Sequence, residues 1–118
     1  MAFASPGRDY EEESIDLNKE LIPHPNSTFF YSTEGSGMTE SFIPNKSKLI
    51  IDRSIKPKHG DIVHCILNVE PYIRRLIKVH NGAYLTANSD IKPISINSEI
   101  ECTICGVVTN IIISCKDV

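Results

Sequence analysis

Residues 62–87, IVHCILNVEPYIRRLIKVHNGAYLTA, decide the fold. Ile62 to Leu67, Tyr72 to Val79 and Ala83 to Ala87 are rich in the β-branched and aromatic residues that suit a pleated, half-buried surface. Turn formers part these runs: Asn68-Val69-Glu70-Pro71 after the first, and Asn81-Gly82 after the second. The Asn81-Gly82 pair is the strongest short-range hairpin signal in the chain. Three strands in antiparallel succession are the reading.

The same signal extends outward. Thr28-Phe29-Phe30-Tyr31, Leu49-Ile50-Ile51 and Glu101 to Ser114 bring the strand candidates to six, with further turns at Lys58-His59-Gly60-Asp61 and Asn88-Ser89-Asp90. This spacing does not fit alternating βαβ units, and no internal repeat interrupts it. Asp16 can cap a short helix over Leu17–Leu21, which Pro23 and Pro25 then stop. Residues 1–13, with Pro6, Gly7 and the acid run Glu11-Glu12-Glu13, hold too little apolar surface to offset the entropy of ordering, so a mobile arm precedes a β domain over residues 14–118.

At 118 residues the chain makes one domain and buries about two-thirds of its unfolded surface, enough for a core without disulfides or metal. No apolar run approaches the roughly 18 residues of a membrane span, and the N-terminus lacks the basic and apolar regions of a signal peptide. A cytoplasmic protein is expected, with Cys65, Cys102, Cys105 and Cys115 reduced. A net charge of −3 argues against a nucleic-acid surface carried by charge alone, so any link to DNA should be indirect, through a protein partner.

Metal chemistry finds little support. Cys102-Thr103-Ile104-Cys105 is a single CxxC without the second pair that a structural zinc site needs, and three-residue spacing on a strand sends the two thiols to opposite faces. His59 and His64 read as turn and strand residues, and no phosphate-binding glycine loop is present. Neither metal nor cofactor is expected. Arg74, Arg75 and Lys78 read as a solvated strand rather than a DNA groove, because Arg74 and Lys78 share one face and Arg75 takes the other. Phe29, Phe30 and Tyr31 read as core and sheet-face residues, with no Lys or Arg interleaved to make a base-stacking platform.

Gly35-Ser36-Gly37-Met38 gains meaning together with Ile15-Asp16-Leu17-Asn18, His24-Pro25, His59-Gly60-Asp61-Ile62-Val63, Arg75-Leu76 and Gly106-Val107-Val108. In this set the chain resembles the LexA/UmuD family, and the UmuD-type SOS mutagenesis subunits in particular, over nearly its whole length. The resemblance implies a LexA/UmuD C-terminal-domain-like fold: mostly β, twisted antiparallel sheets with one or two short helices. It also implies a serine peptidase with a Ser–Lys dyad that removes its own N-terminal arm. Ala2-Phe3-Ala4-Ser5-Pro6 stands where the clipped form begins, so the expectation is a chain that starts at the product.

Both dyad positions depart from the family. Gly37 stands where the nucleophilic serine belongs, and glycine offers no nucleophile. Arg74 stands where the lysine belongs, and a guanidinium stays protonated where a buried lysine can become a neutral base. Ser36, one residue early, would point elsewhere and would still lack a base. The turn Asn45-Lys46-Ser47-Lys48 also replaces the family's acidic Asp-Gly-Asp.

The function expected from the resemblance is therefore that of a non-catalytic, UmuD′-like accessory subunit of an error-prone, translesion Y-family DNA polymerase in the SOS response. Its partners would be a second copy in a homodimer, the polymerase, and a RecA filament. The alternative is a self-cleaving Ser–Lys peptidase seen in a processed or inactivated form. A third reading is a dominant-negative partner that forms mixed dimers with an active paralogue.

Overall fold

The structure is a computed structural model, and it describes residues 14–97 and 100–116. The arm expected over residues 1–13 lies outside the described residues. Helix α1 (Leu17–Leu21) begins where Asp16 accepts a hydrogen bond from the Lys19 backbone N–H at 3.2 Å, and it buries no residue. Among the described residues seven strands follow: β1 (Thr28–Ser32), β2 (Lys48–Asp52), β3 (Ile62–Leu67), β4 (Glu70–Val79), β5 (Gly82–Thr86), β6 (Ile94–Ser95) and β7 (Cys102–Ile112). They form one antiparallel sheet in the order β1-β2-β7-β3-β4-β5-β6. The fold is the mostly β LexA/UmuD type that the sequence implied. The two-residue β6 is the strand that propensity missed, being too short for a periodic signal.

Strand β7 enters between β2 and β3, so the sheet is completed by its last strand in sequence. Close packing there depends on Gly106, where a Cβ would come within 2.7 Å of Ile51 Cγ2. Although β2 and β7 separate β1 from β3, the Phe29 and Tyr31 rings lie 5.6 and 5.0 Å from the His64 ring. The sheet must therefore curl until β1 closes over β3. Alternation along β3 and β4 splits the core in two. One cluster holds Val63, Cys65, Leu67, Leu76, Leu85 and Val107; the other holds Met38, Ile43, Leu49, Ile51 and Ile73. Each fully buried Leu or Ile among them contributes about 2 kcal/mol of burial energy.

Two local expectations change. Val79 pairs with Gly82, so the β4–β5 turn is carried by His80 and Asn81, neither with positive φ, and Gly82 opens the next strand. The positive-φ hairpin sits at β3–β4 instead, where Asn68 (φ 49°) and Val69 (φ 68°) form the two-residue turn. A β-branched residue is strained there, and Val69, 83% exposed at the hairpin tip, carries that strain.

The thiols are the second change. Register shifts between His64/Gly106 and Cys65/Ile104, so Cys105 is an unpaired bulge residue and the strict alternation that would separate it from Cys102 breaks. Cys65, Cys102 and Cys105 lie within electrostatic reach of one another. Among the described residues no three His, Cys, Asp or Glu side chains are grouped to hold a metal ion, and no helix is long and apolar enough to cross a membrane.

Candidate functional site

The β1–β2 connection builds one wall of a cleft. Thr33, buried at its start, is tied on three sides. Its backbone N–H donates to Ser47 O at 2.9 Å, its Oγ1 donates to Pro44 O at 3.2 Å, and Oγ1 accepts from the Ser47 N–H at 2.9 Å. Gly35 takes φ +95°, open to glycine, and its N–H donates to Asn45 Oδ1 at 2.7 Å. The turn at Asn45-Lys46 thus holds the loop, with Lys46 itself at φ 63°. Met38 and Ile43 drop into the core and pin the far end of the segment.

Asn88 staples the middle. Its Nδ2 donates to Ser36 O at 2.8 Å and to Thr39 Oγ1 at 2.9 Å, and its Oδ1 accepts from the Glu40 N–H at 2.8 Å. Its backbone N–H donates to Gly37 O at 2.8 Å. Glu40 returns the contact by accepting from the Ser89 N–H at 2.9 Å and from Ser89 Oγ at 3.0 Å. The sequence shows Asn88-Ser89-Asp90 only as a turn. No local signal marks a partnership with residues about fifty positions away.

Strand β4 supplies the facing wall. β5 pairs with β4 only from Arg75 onward, so among the described residues the first half of β4 has no strand partner on that side. Between the two walls lies a cleft of about 250 Å³, lined by Tyr31, Glu34, Gly37 and Met38 on one side and by Pro71, Ile73 and Arg74 on the other. Gly37 and Arg74, thirty-seven positions apart in sequence, line the same cavity. Ser36 is exposed and is not part of its lining.

The geometry at both positions is informative. Gly37 does not have the positive φ that only glycine favours, and a Cβ added there would meet Ile91 Cδ1 at 3.1 Å, a methyl able to give by a few tenths of an ångström. Arg74 donates from Nη1 to Ile73 O at 2.8 Å and lays its guanidinium 4.9 Å from the Tyr72 ring centroid. Its Nε is buried without a partner among the described residues. The cleft therefore presents a permanent cation, glycine backbone and walls of mixed polarity that include Thr33 and Glu34, with neither nucleophile nor neutral base at positions 37 and 74.

Behind the wall, His64 is 9% exposed, packed against Phe29 and Tyr31, with Nδ1 unpartnered among the described residues. Burial pulls its pKa below the ordinary value, so the ring is neutral near pH 7. Cys65 is likewise inert, its thiol pushed up to about 12 by burial first and by Cys102 second. Two aromatic rings have cations over them that sequence neighbours do not reveal: Lys48 Nζ lies 5.6 Å from the Phe30 ring and Arg53 lies 5.2 Å from the Phe29 ring. Phe29 faces the core as expected, whereas Phe30 is 56% exposed.

A second polar cluster imitates a triad without its logic. His24 Nδ1 lies 2.6 Å from Asp52 Oδ2, and Ser27 Oγ donates to Asp52 Oδ1 at 3.0 Å. Activation needs the imidazole between serine and carboxylate, and here the serine bonds the carboxylate directly. Burial alone would raise the Asp52 pKa. Hydrogen bonds from Ser54, His24 and Ser27 outweigh it and hold the carboxyl well below the usual range. The cluster fastens the segment before β1 to the end of β2.

Residues 2–109 match the Peptidase S24-like family, and the chain belongs to that family, the LexA/UmuD group. Among curated relatives, Protein ImpA of Escherichia coli is 35% identical over 116 residues, covering 93% of this chain and 75% of that protein. Protein MucA of Escherichia coli is 31% identical over 112 residues, covering 94% and 77%. Protein SamA of Salmonella typhimurium is 38% identical over 74 residues, covering 63% and 53%.

Proposed function

We propose that this protein is a non-catalytic, UmuD′-like accessory subunit in SOS mutagenesis, acting as a homodimer on an error-prone Y-family DNA polymerase. The observation that carries the reading is that Gly37 and Arg74 line one cleft. These are the two positions where the family resemblance puts serine and lysine. A cleft that keeps its walls but carries glycine and a fixed guanidinium at these two positions can hold a peptide and lacks the dyad to cut one. Membership of the S24 family and the similarity to ImpA and MucA support the mutagenesis role. DNA and a RecA filament would be engaged through protein contacts, with residues 14–118 as the body and 1–13 as the arm.

The test is solution mass by light scattering, with the protein alone and with the polymerase subunit from the same genome. A dimer that shifts into a larger complex is expected. A chain that stays monomeric at tens of micromolar and ignores the polymerase overturns the proposal.

The inactivated-peptidase alternative keeps one specific support. The backbone at Gly37 sits outside the left-handed region, so the cleft still has a place for an L-residue there.

A further inference from the structure

Successive residues of a strand turn their main-chain groups to opposite sides. On β4, Gly60 N–H donates to Leu76 O at 2.7 Å, Leu76 N–H donates to Asp61 O at 2.8 Å and Lys78 N–H donates to His59 Nδ1 at 2.9 Å, so the even-numbered residues face β3 and the β2–β3 loop. The odd-numbered residues face the other way, where Arg75 meets Thr86 of β5. Before Arg75 that side has no strand partner among the described residues, and there Pro71 and Ile73 line the cleft. Pro71 has no N–H to give. Ile73 O accepts from Arg74 Nη1 at 2.8 Å, and Ile73 N–H is left facing the open side. An extended peptide adding to this edge would meet a blocked acceptor at Ile73 and a missing donor at Pro71.

Arg74 adds donors of its own. A guanidinium can take a carboxylate side-on, through the parallel N–H groups of Nε and Nη2. In Arg74 it is Nη1 that is engaged, while Nε is buried and neither Nε nor Nη2 has an acceptor among the described residues. The Tyr72 ring, 4.9 Å away, backs the guanidinium. No carboxylate among the described residues pairs with it; the ion pair they contain is His24 with Asp52. A buried N–H without an acceptor is costly until one arrives. We infer that the cleft is a receptor for a single carboxylate, held by the Nε–Nη2 fork of Arg74 with Ile73 N–H beside it.

Charge and size narrow the ligand. Glu34 lines the same cleft and offsets the charge of Arg74, so a monoanion is accepted and a phosphate dianion is opposed. The cleft holds about 250 Å³, below the roughly 300–1,000 Å³ of ordinary ligand pockets, which suits the end of a chain or one acidic side chain and not a long segment. A planar fork also matches a planar carboxylate, which the point charge of a lysine does not. The inference names the ligand class of the non-catalytic cleft and rests on that reading; it needs neither the dimer nor the polymerase.

Titration of the isotope-labelled full chain, followed by proton–nitrogen NMR, tests it, with the Ile73 and Gly37 amides and the Arg74 Nε–H as reporters. The probes are acetyl-Ala-Ala with a free C-terminus, the same peptide as its C-terminal amide, acetyl-Ala-Asp-Ala-amide, and inorganic phosphate. A carboxylate probe should move the reporters saturably and bind about 5-fold or more tighter than acetyl-Ala-Ala-amide. The tighter of the two carboxylate probes assigns the ligand to a chain end or to an acidic side chain. Arg74→Lys keeps the charge and loses the fork, and should weaken binding about 5-fold or more. Glu34→Gln, at an exposed position, should strengthen it about 3-fold. Equal binding of the amide, tighter binding of phosphate, no effect of Arg74→Lys, or no saturable shift up to about 50 mM probe overturns the inference. Each of these outcomes would leave a polymerase complex seen by light scattering intact, and a chain that ignores the polymerase can still pass this test.

Discussion

Asn88→Ala should loosen the cleft wall without touching the cleft's lining. The substitution removes three side-chain hydrogen bonds, to Ser36 O, Thr39 Oγ1 and the Glu40 N–H, all between 2.8 and 2.9 Å. It leaves the backbone bond from Asn88 N–H to Gly37 O. These bonds are partly open to water, so each is worth the lower half of the usual net range, and the sum is roughly 2 kcal/mol. For a domain of this size that lowers Tm by about 10 °C. Hydrogen exchange should accelerate across residues 35–41 first, because Asn88 is their tie to the β5 end. Asn88→Asp should be at least as damaging: it keeps the acceptor for Glu40 N–H, loses both donors, and sets a carboxylate near the Ser36 and Gly37 carbonyls. Thermal unfolding by circular dichroism with exchange mass spectrometry reads both effects. A Tm change under about 3 °C with unchanged exchange in 35–41 would refute the idea that Asn88 holds the loop.

Gly37→Ser alone should fold with a stability change within about 1 kcal/mol, since relief of chain entropy offsets the contact with Ile91, and it should cleave nothing while Arg74 remains. With Arg74→Lys added, cleavage of an arm supplied in trans, read by mass spectrometry, would show a recent loss; silence from the well-folded double variant would show that drift has reached beyond the dyad positions. Stability should form a plateau in pH. His64, depressed by burial, contributes fully above its ordinary 6.5 and loses that contribution as pH falls through its lower folded value. Asp52 behaves alike below its ordinary 3.8, as its hydrogen bonds are titrated away. Cys65, raised by burial to about 12, contributes fully below 9.0 and loses it as pH climbs toward 12. Urea midpoints measured across this range check all three, and Cys65→Ala should shrink the alkaline limb to the part that Cys102, also raised by burial, supplies.

Local physics is legible in this sequence. β-branched and aromatic runs place six of the seven strands among the described residues, and the capping aspartate Asp16 places the helix start, because these choices depend on neighbours within a few residues. The family resemblance singles out Gly37 and Arg74 as the proposed dyad positions by identity alone. What lies between them is not local. That the two residues share one cavity follows from a sheet completed by its last strand and curled until β1 meets His64. Asn88 as a staple, the bulge that brings Cys105 within reach of Cys102, and the loop that gathers Lys58 and His59 against Lys78 depend on the same long-range pairing. Hydrogen bonds and charges act over a few ångströms in space, so residues distant in sequence acquire these roles only when the tertiary fold brings them together.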